Sequence, residues 1–363
     1  MQTRSVAQFL AACASLLFSG CTSPPSTIDT DSAAVVMPPR GTEVPARPIR
    51  LEPAKRDPSD RFPRPPELEP QIAFWRNVYG TWSRSQAVVH DDRYLNVVYE
   101  VIRLPGEIGD SYSAQQKDVV DERRDYWRNR LSELERSWSL RLPLSAEDRR
   151  LVSQLESNAH DHDPVLGAAE RVRVQRGLRE RFKRGLEISV RYEETFRRIF
   201  REAGLPEDLA YLPHVESSFQ SSARSSAGAV GIWQFTRSAA ERFMTVNEAI
   251  DERLDPIASA RGAARYLSHA RGKLASWPLT LTSYNHGIAG MQRARDAMGD
   301  DFVRIVQRYD HPKFGFASRN FYAEFLAARE VASNPQRFFP EGVRYDHPAT
   351  SETVSGSGMR ASP

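Results

Sequence analysis

The densest run of residues able to do chemistry starts at Glu216-Ser217-Ser218-Phe219. It passes through a short polar turn, Ser221 to Ser226, into Gly228-Ala229-Val230-Gly231-Ile232-Trp233-Gln234-Phe235. Glu216 is a candidate general acid, because Phe219, Trp233 and Phe235 could desolvate its carboxyl and burial disfavours the ionised form. Gly228 and Gly231 remove side chains either where a ligand passes close to backbone or where the chain turns tightly between helices. Two later fragments, Leu281-Thr282-Ser283-Tyr284-Asn285-His286-Gly287 and Arg319-Asn320-Phe321-Tyr322, add a hydroxyl, an amide and further aromatic faces. Each fragment is weak by itself; the order and spacing of all four make the signal specific.

Groups that must meet in one site need rigid elements to hold them, and the sequence around these fragments reads as helix. Residues 116 to 138, 145 to 156 and 168 to 203 carry apolar positions three or four apart, such as Trp127, Leu131 and Leu134, or Leu178, Phe182 and Leu186. Phe196, Ile199 and Phe200 continue the last stripe; then Gly204 offers a left-handed cap, Leu205 a trailing apolar contact and Pro206 a stop. Pro206 also opens the helix that runs through Leu209, Tyr211 and Val215 and closes on Glu216. With few β-branched alternations, the expected fold class is all-α, or mainly α. The expected organisation is a helical arm over residues 71–200, a compact catalytic unit over 201–340 and a flexible tail over 341–363.

Of 363 residues, 40% are apolar and 27% charged, an ordinary globular balance that excludes a disordered chain and a many-span membrane protein. Fifty basic against 47 acidic residues leave +3, which excludes a strongly cationic nucleic-acid binder. Both cysteines, Cys13 and Cys21, lie at the start of the chain. Arg4, the apolar stretch Val6 to Phe18 and the small pair Ser19-Gly20 read as an export leader over residues 1–20. Cys21 directly after Leu17-Phe18-Ser19-Gly20 resembles a bacterial lipobox, which implies lipidation of that thiol and a membrane anchor facing the periplasm. Thr22 in place of an aspartate implies the outer membrane. Once the leader is cut, no intramolecular disulfide is possible. Residues 21–70 are rich in proline, including Pro24, Pro25, Pro38, Pro39, Pro63, Pro65, Pro66 and Pro70, and read as an extended tether.

Across roughly residues 165 to 335 the chain resembles the lytic transglycosylases with a soluble-type, goose-lysozyme-like catalytic domain, and among them the membrane-bound murein transglycosylase D group. The runs Ala203 to Phe219 and Gly228 to Phe235 carry most of that resemblance. It implies Glu216 as the catalytic acid, and Ser225, Gln234, Tyr284 and Asn285 as residues lining a groove for peptidoglycan glycan strands; Gly231, by its missing side chain, and Trp233, by its flat face, are further candidates for that lining. It implies no cofactor and no metal. The family's fourth motif sets a tyrosine two residues after an arginine or lysine; here that place is Phe321, and Tyr322 follows it. The Arg-Asn-aromatic register favours Phe321 in the groove with Tyr322 packed beside it.

The residues also have plainer readings. Trp233 could be core, Asn285 could cap the turn before Gly287, and the Arg-rich stretch Arg171 to Arg184 could be a solvated helix face. His160-Asp161-His162-Asp163 lacks the spacing of a zinc site and reads as a solvated loop. Breaking a glycosidic bond by water calls for a second carboxylate, and none lies between Ser217 and Gln234. An attack by the C6 hydroxyl of N-acetylmuramic acid on its own C1 removes that need, and the expected product is a 1,6-anhydro sugar. Two rival readings remain: a hydrolytic muramidase of the same fold, and a non-catalytic wall-binding lipoprotein.

Overall fold

The structure, a computed structural model, describes residues 61–156 and 163–347. The leader, Cys21, residues 21–60 of the tether, His160 to His162 and the tail from 348 lie outside the described residues. The chain starts with a 3-10 turn, Pro66–Leu68, leading into α1 (Glu69–Gly80), and then forms β1 (Gln86–Asp91) and β2 (Val98–Arg103). Two helices follow, α2 (Ala114–Ser139) and α3 (Ala146–Glu156), then β3 (Val172–Arg176) and the pair α4 (Arg179–Ser189) and α5 (Glu193–Glu202). A 3-10 turn, Glu207–Tyr211, runs directly into α6 (Leu212–Glu216), and α7 (Arg237–Ala240) is a single turn. The remainder is α8 (Pro256–Leu274), α9 (Trp277–His286), α10 (Ile288–Met298), α11 (Phe302–Arg308), α12 (Phe316–Ser333) and α13 (Pro335–Phe338). The fold is mainly α, as the periodicity predicts.

Local chemistry accounts for the helix ends. Ser113 and Gln116 form a reciprocal capping box at the start of α2. Asp255 accepts from the backbone N–H groups of Ile257 and Ala258 at the start of α8. After α5, Gly204 takes φ +69° and Leu205 N–H closes back onto the Phe200 carbonyl at 2.9 Å. That is the cap expected from Gly204-Leu205-Pro206.

The helical reading of residues 168–203 is corrected at Val172–Arg176, which is a strand, so Arg171 to Arg184 is not one helix. The three strands form an antiparallel sheet in the order β2-β1-β3. It escapes pattern reading because the central strand is covered on both faces, which erases the polar–apolar alternation of a half-exposed strand. Alternate residues of β1 enter different cores: Ala87 and Val89 pack with α2 and α3, whereas Val88 joins the large core shared with α5 to α12. His90, on the Val88 side, sits against Phe74 and Phe316, and its register partner on β3 is Arg173.

No break in packing occurs at residue 200. Phe62, Phe74, Trp75, Phe182 and Phe196 belong to one buried cluster with Leu267, Leu281, Phe325 and Phe339. Helix α1 lies along α12, and a buried ion pair locks them: Arg76 meets Glu330 at 2.9 Å and Arg64 meets the same carboxylate at 2.8 Å. The first residues of the expected flexible tail are docked as well. Glu341 pairs with Arg179 and Lys183, and Asp346 with Arg184 and Arg191.

Candidate active site

Helix α6 is one short turn that presents Glu216 at its last position. The chain then leaves the helix sharply. Ser217 Oγ donates to the Ile232 carbonyl at 2.8 Å, and Ser218 and Phe219 both adopt positive φ, at 52° and 59°. Two successive residues in the left-handed region store backbone strain, which the surrounding packing must hold. Gly185 on α4 permits the close approach, since a Cβ there would lie 3.0 Å from the Ser218 carbonyl oxygen.

The Glu216 carboxyl is 5% exposed, and its Oε1 has no hydrogen-bond partner among the described residues. Burial, and then the charge of Glu324, push it well above the usual carboxylate range, which favours its protonated form. Tyr284 lies close enough for Glu216 to disfavour its ionisation further, after burial, and its hydroxyl donates to the Trp233 carbonyl at 2.9 Å. Asn285 Oδ1 accepts from Ser318 Oγ at 2.8 Å, tying α9 to α12.

The loop between Ala223 and Phe235 is held by its own amides. Gln234, at φ 49°, donates from Nε2 to the carbonyls of Gly231 and Ala223, at 2.8 and 3.1 Å. Ser225 Oγ accepts from the Ala229 amide at 3.0 Å and remains half-buried at the rim. Gly231 has φ +77°, and a Cβ there would stand 2.2 Å from the Arg253 carbonyl oxygen, so packing of the chain against itself requires this glycine.

Among the residues expected to line a groove, Trp233 is placed differently. It has no exposed surface and tilts against Phe196 and Phe200 at 5.1 and 5.7 Å, so it offers no face to a sugar ring and acts as the core support behind the loop. Phe321 and Tyr322 are both buried. The Tyr322 hydroxyl donates to the Pro63 carbonyl at 2.8 Å and its ring meets Phe302 edge-on, so its hydroxyl is committed to the segment before α1. The sequence reading missed Glu324. It sits one turn on from Phe321 on the same face of α12 and nearly opposite Tyr322. The run 217–234 holds no second carboxylate, but α12 packs on α6 and the charge of Glu324 acts on Glu216. Its signal was present: a single acid inside the apolar run Phe321 to Ala328.

An open depression of about 600 Å³ between α5 and α8, lined by Glu202, Arg261 and His269 among others, does not include Glu216. Among the described residues no cluster of three or more histidine, cysteine or acidic side chains could hold a metal ion. No helix of the described residues is long and apolar enough to cross a membrane.

Residues 197–301 match the family Transglycosylase SLT domain. The chain is 28% identical over 160 residues to the membrane-bound lytic murein transglycosylase D of Escherichia coli (strain K12), covering 42% of this chain and 33% of that protein. It is 27% identical over 206 residues to a membrane-bound lytic murein transglycosylase F of Stutzerimonas stutzeri, covering 50% and 40%. The match thus spans about a third to two fifths of those relatives' own length. A solved structure of an inactive mutant of the lytic transglycosylase Slt from Pseudomonas aeruginosa is 16% identical with a TM-score of 0.32, over 63% of this chain and 35% of that one. Over residues 197–301 the chain is thus similar to the Transglycosylase SLT domain, and over stretches of 160 and 206 residues to membrane-bound lytic murein transglycosylases D and F.

Proposed function

We propose that the chain is a peptidoglycan lytic transglycosylase with Glu216 as its acid. The observation that carries this reading is a buried carboxyl, pushed towards its protonated form and with one oxygen unbonded among the described residues, at the end of α6 in the stretch that matches the SLT domain. In the reaction, Glu216 gives its proton to the glycosidic oxygen as the bond from C1 of N-acetylmuramic acid breaks. The C6 hydroxyl of the same sugar attacks C1, and the Glu216 carboxylate takes the hydroxyl proton. No water is consumed, Glu216 ends as it began, and the product carries a 1,6-anhydro ring. Ser225, Gln234, Tyr284 and Asn285 are proposed to border the glycan, with Phe321, Trp233 and Gly231 shaping the site from behind.

Hydrolysis is the second reading, and Glu324 is the observation that favours it, since a muramidase uses two carboxyl groups. Against it stands the placement of Glu324: it is buried on α12 and its Oε2 accepts from the Tyr79 hydroxyl, so its carboxyl is not presented to a water or to C1 of a sugar. The deciding experiment is mass analysis of muropeptides released from purified sacculi. Products one water lighter, with anhydro ends, support the transglycosylase; reducing ends support hydrolysis. Glu216→Gln should abolish either product while leaving the fold intact, and turnover near wild type would remove Glu216 from the mechanism.

For location, we propose lipidation at Cys21 and anchoring to the outer membrane facing the periplasm, supported by the Leu17 to Cys21 lipobox and the membrane-bound relatives. Radiolabelled fatty acid should enter the wild type and not Cys21→Ser.

A further inference from the structure

Glu324 is 3% exposed, and on the same helix Glu330 has two arginines where Glu324 has none within ion-pair distance among the described residues. The contact made by its carboxylate is with Tyr79 of α1, whose hydroxyl donates to Oε2 at 3.5 Å. Tyr79 is fixed by a stack that crosses three helices: its ring lies 5.0 Å from Phe182 of α4, which lies 4.8 Å from His214 of α6. The second group facing Glu324 is the guanidinium of Arg173. Strand alternation turns Arg173 away from Val172 and Val174, which pack towards α2 and α3, and sets it 4.0 Å over the Phe316 ring at the start of α12. The third is Glu216.

Other charged or titratable groups on the elements packed against α12 are occupied elsewhere. Arg76 is paired with Glu330, Asp208 with Arg329, and Arg337 is exposed. His214 and His286 are held neutral by burial, and Tyr284 donates to a backbone carbonyl.

Helices α6 and α12 pack together and both carboxyls are buried, so charge on Glu324 opposes charge on Glu216 and the pair resists losing both protons. Tyr79 and Arg173 both favour charge on Glu324, whereas no cation or donor is directed at Glu216 among the described residues. We propose that Glu324 is a positioning residue that reserves the shared proton for Glu216, and that Tyr79 and Arg173, from the part of the chain before the SLT domain, set this bias. The proposal rests on Glu216 being the acid. It gives residues 71–176 a part in the chemistry without any contact with substrate.

The test compares the intact wild-type chain with Glu324→Gln, which keeps an acceptor for Tyr79, and with Tyr79→Phe. Two quantities are followed against pH: kcat/KM for release of anhydro-muropeptides from sacculi, and the ¹³C carboxyl resonance of Glu216 in glutamate-labelled protein, assigned with Glu216→Gln. In Glu324→Gln, the alkaline limb of the rate and the midpoint of the Glu216 resonance should both move to lower pH, by on the order of one unit. Tyr79→Phe should move them in the same direction by less. An unchanged Glu216 midpoint in Glu324→Gln overturns the proposal, whatever the loss of rate, and a Tyr79→Phe shift to higher pH overturns the bias assigned to Tyr79. Wild type that releases no anhydro ends would defeat the transglycosylase reading alone, because the resonance still reports the pairing without turnover.

Discussion

Replacing Glu324 by glutamine should stabilise the protein increasingly as the pH rises. Burial lifts this carboxyl from its ordinary 4.5 to about 8, so the folded chain binds the proton more tightly than the unfolded chain. The group's contribution is therefore fullest below the unfolded value of 4.5 and is lost progressively as the pH rises towards 8. At about 1.4 kcal/mol per pH unit, the loss reaches about 3 kcal/mol by neutral pH and at most about 5 kcal/mol beyond the folded value. Glutamine has no proton to lose, and Glu216 is no longer opposed by a neighbouring charge, so the variant's profile should be flatter for both reasons. The amide brings a constant offset, from two donors in a buried site, which cancels in the slope. Urea unfolding followed by circular dichroism from about pH 4.5 to pH 8 would measure it, with the gap between variant and wild type widening by roughly 2–4 kcal/mol. Parallel profiles would refute the reasoning, since they would mean that Glu324 ionises as easily folded as unfolded.

Three further outcomes follow from the packing. Gly231→Ala should cost about 3 kcal/mol or more in urea unfolding, because its Cβ meets the Arg253 carbonyl oxygen, while Gly228→Ala, at the same φ but in open space, should cost only about 1 kcal/mol; equal costs would remove the close approach as the cause. Glu330→Ala strands Arg76 in the core and should cost about 3–5 kcal/mol, read as a lower thermal midpoint, and a loss under about 1 kcal/mol would show that the pair is already solvated. Tyr322→Phe gives up one hydrogen bond to Pro63, about 1 kcal/mol, and should keep turnover within a few-fold; a drop of roughly a hundredfold would put its hydroxyl at the reacting sugar.

Legibility in the sequence depended on how local each feature is. The α5 terminus was readable because Gly204, Leu205 and Pro206 act on their own turn, and Glu216 was readable because its aromatic neighbours follow within the same run. The sheet was hidden because β1 is buried on both faces. Glu324 was hidden for a different reason: its meaning comes from Tyr79 and Arg173, far away in sequence, and no spacing rule connects three such positions. The shared core shows the same limit. A proline-rich run reads as linker, yet Phe62 is inserted against Trp277 and Phe325 at 5.3 and 5.0 Å, and its last residues belong to the large core.

The pairing of α1 with α12 also dictates when this protein can first become stable. Residues 61–80 leave the ribosome early, but the helix they must lie against, with Glu330 to neutralise Arg64 and Arg76, is made some 250 residues later. Until then Phe62 lacks the rings of Trp277 and Phe325, and Arg64 and Arg76 have only Glu69 between them. Contacts that close so long a loop form slowly and leave apolar segments open meanwhile. The packing of residues 61–80 is therefore completed only when almost all of the chain has emerged, whereas the core between β1, α2 and α3 needs nothing from α12.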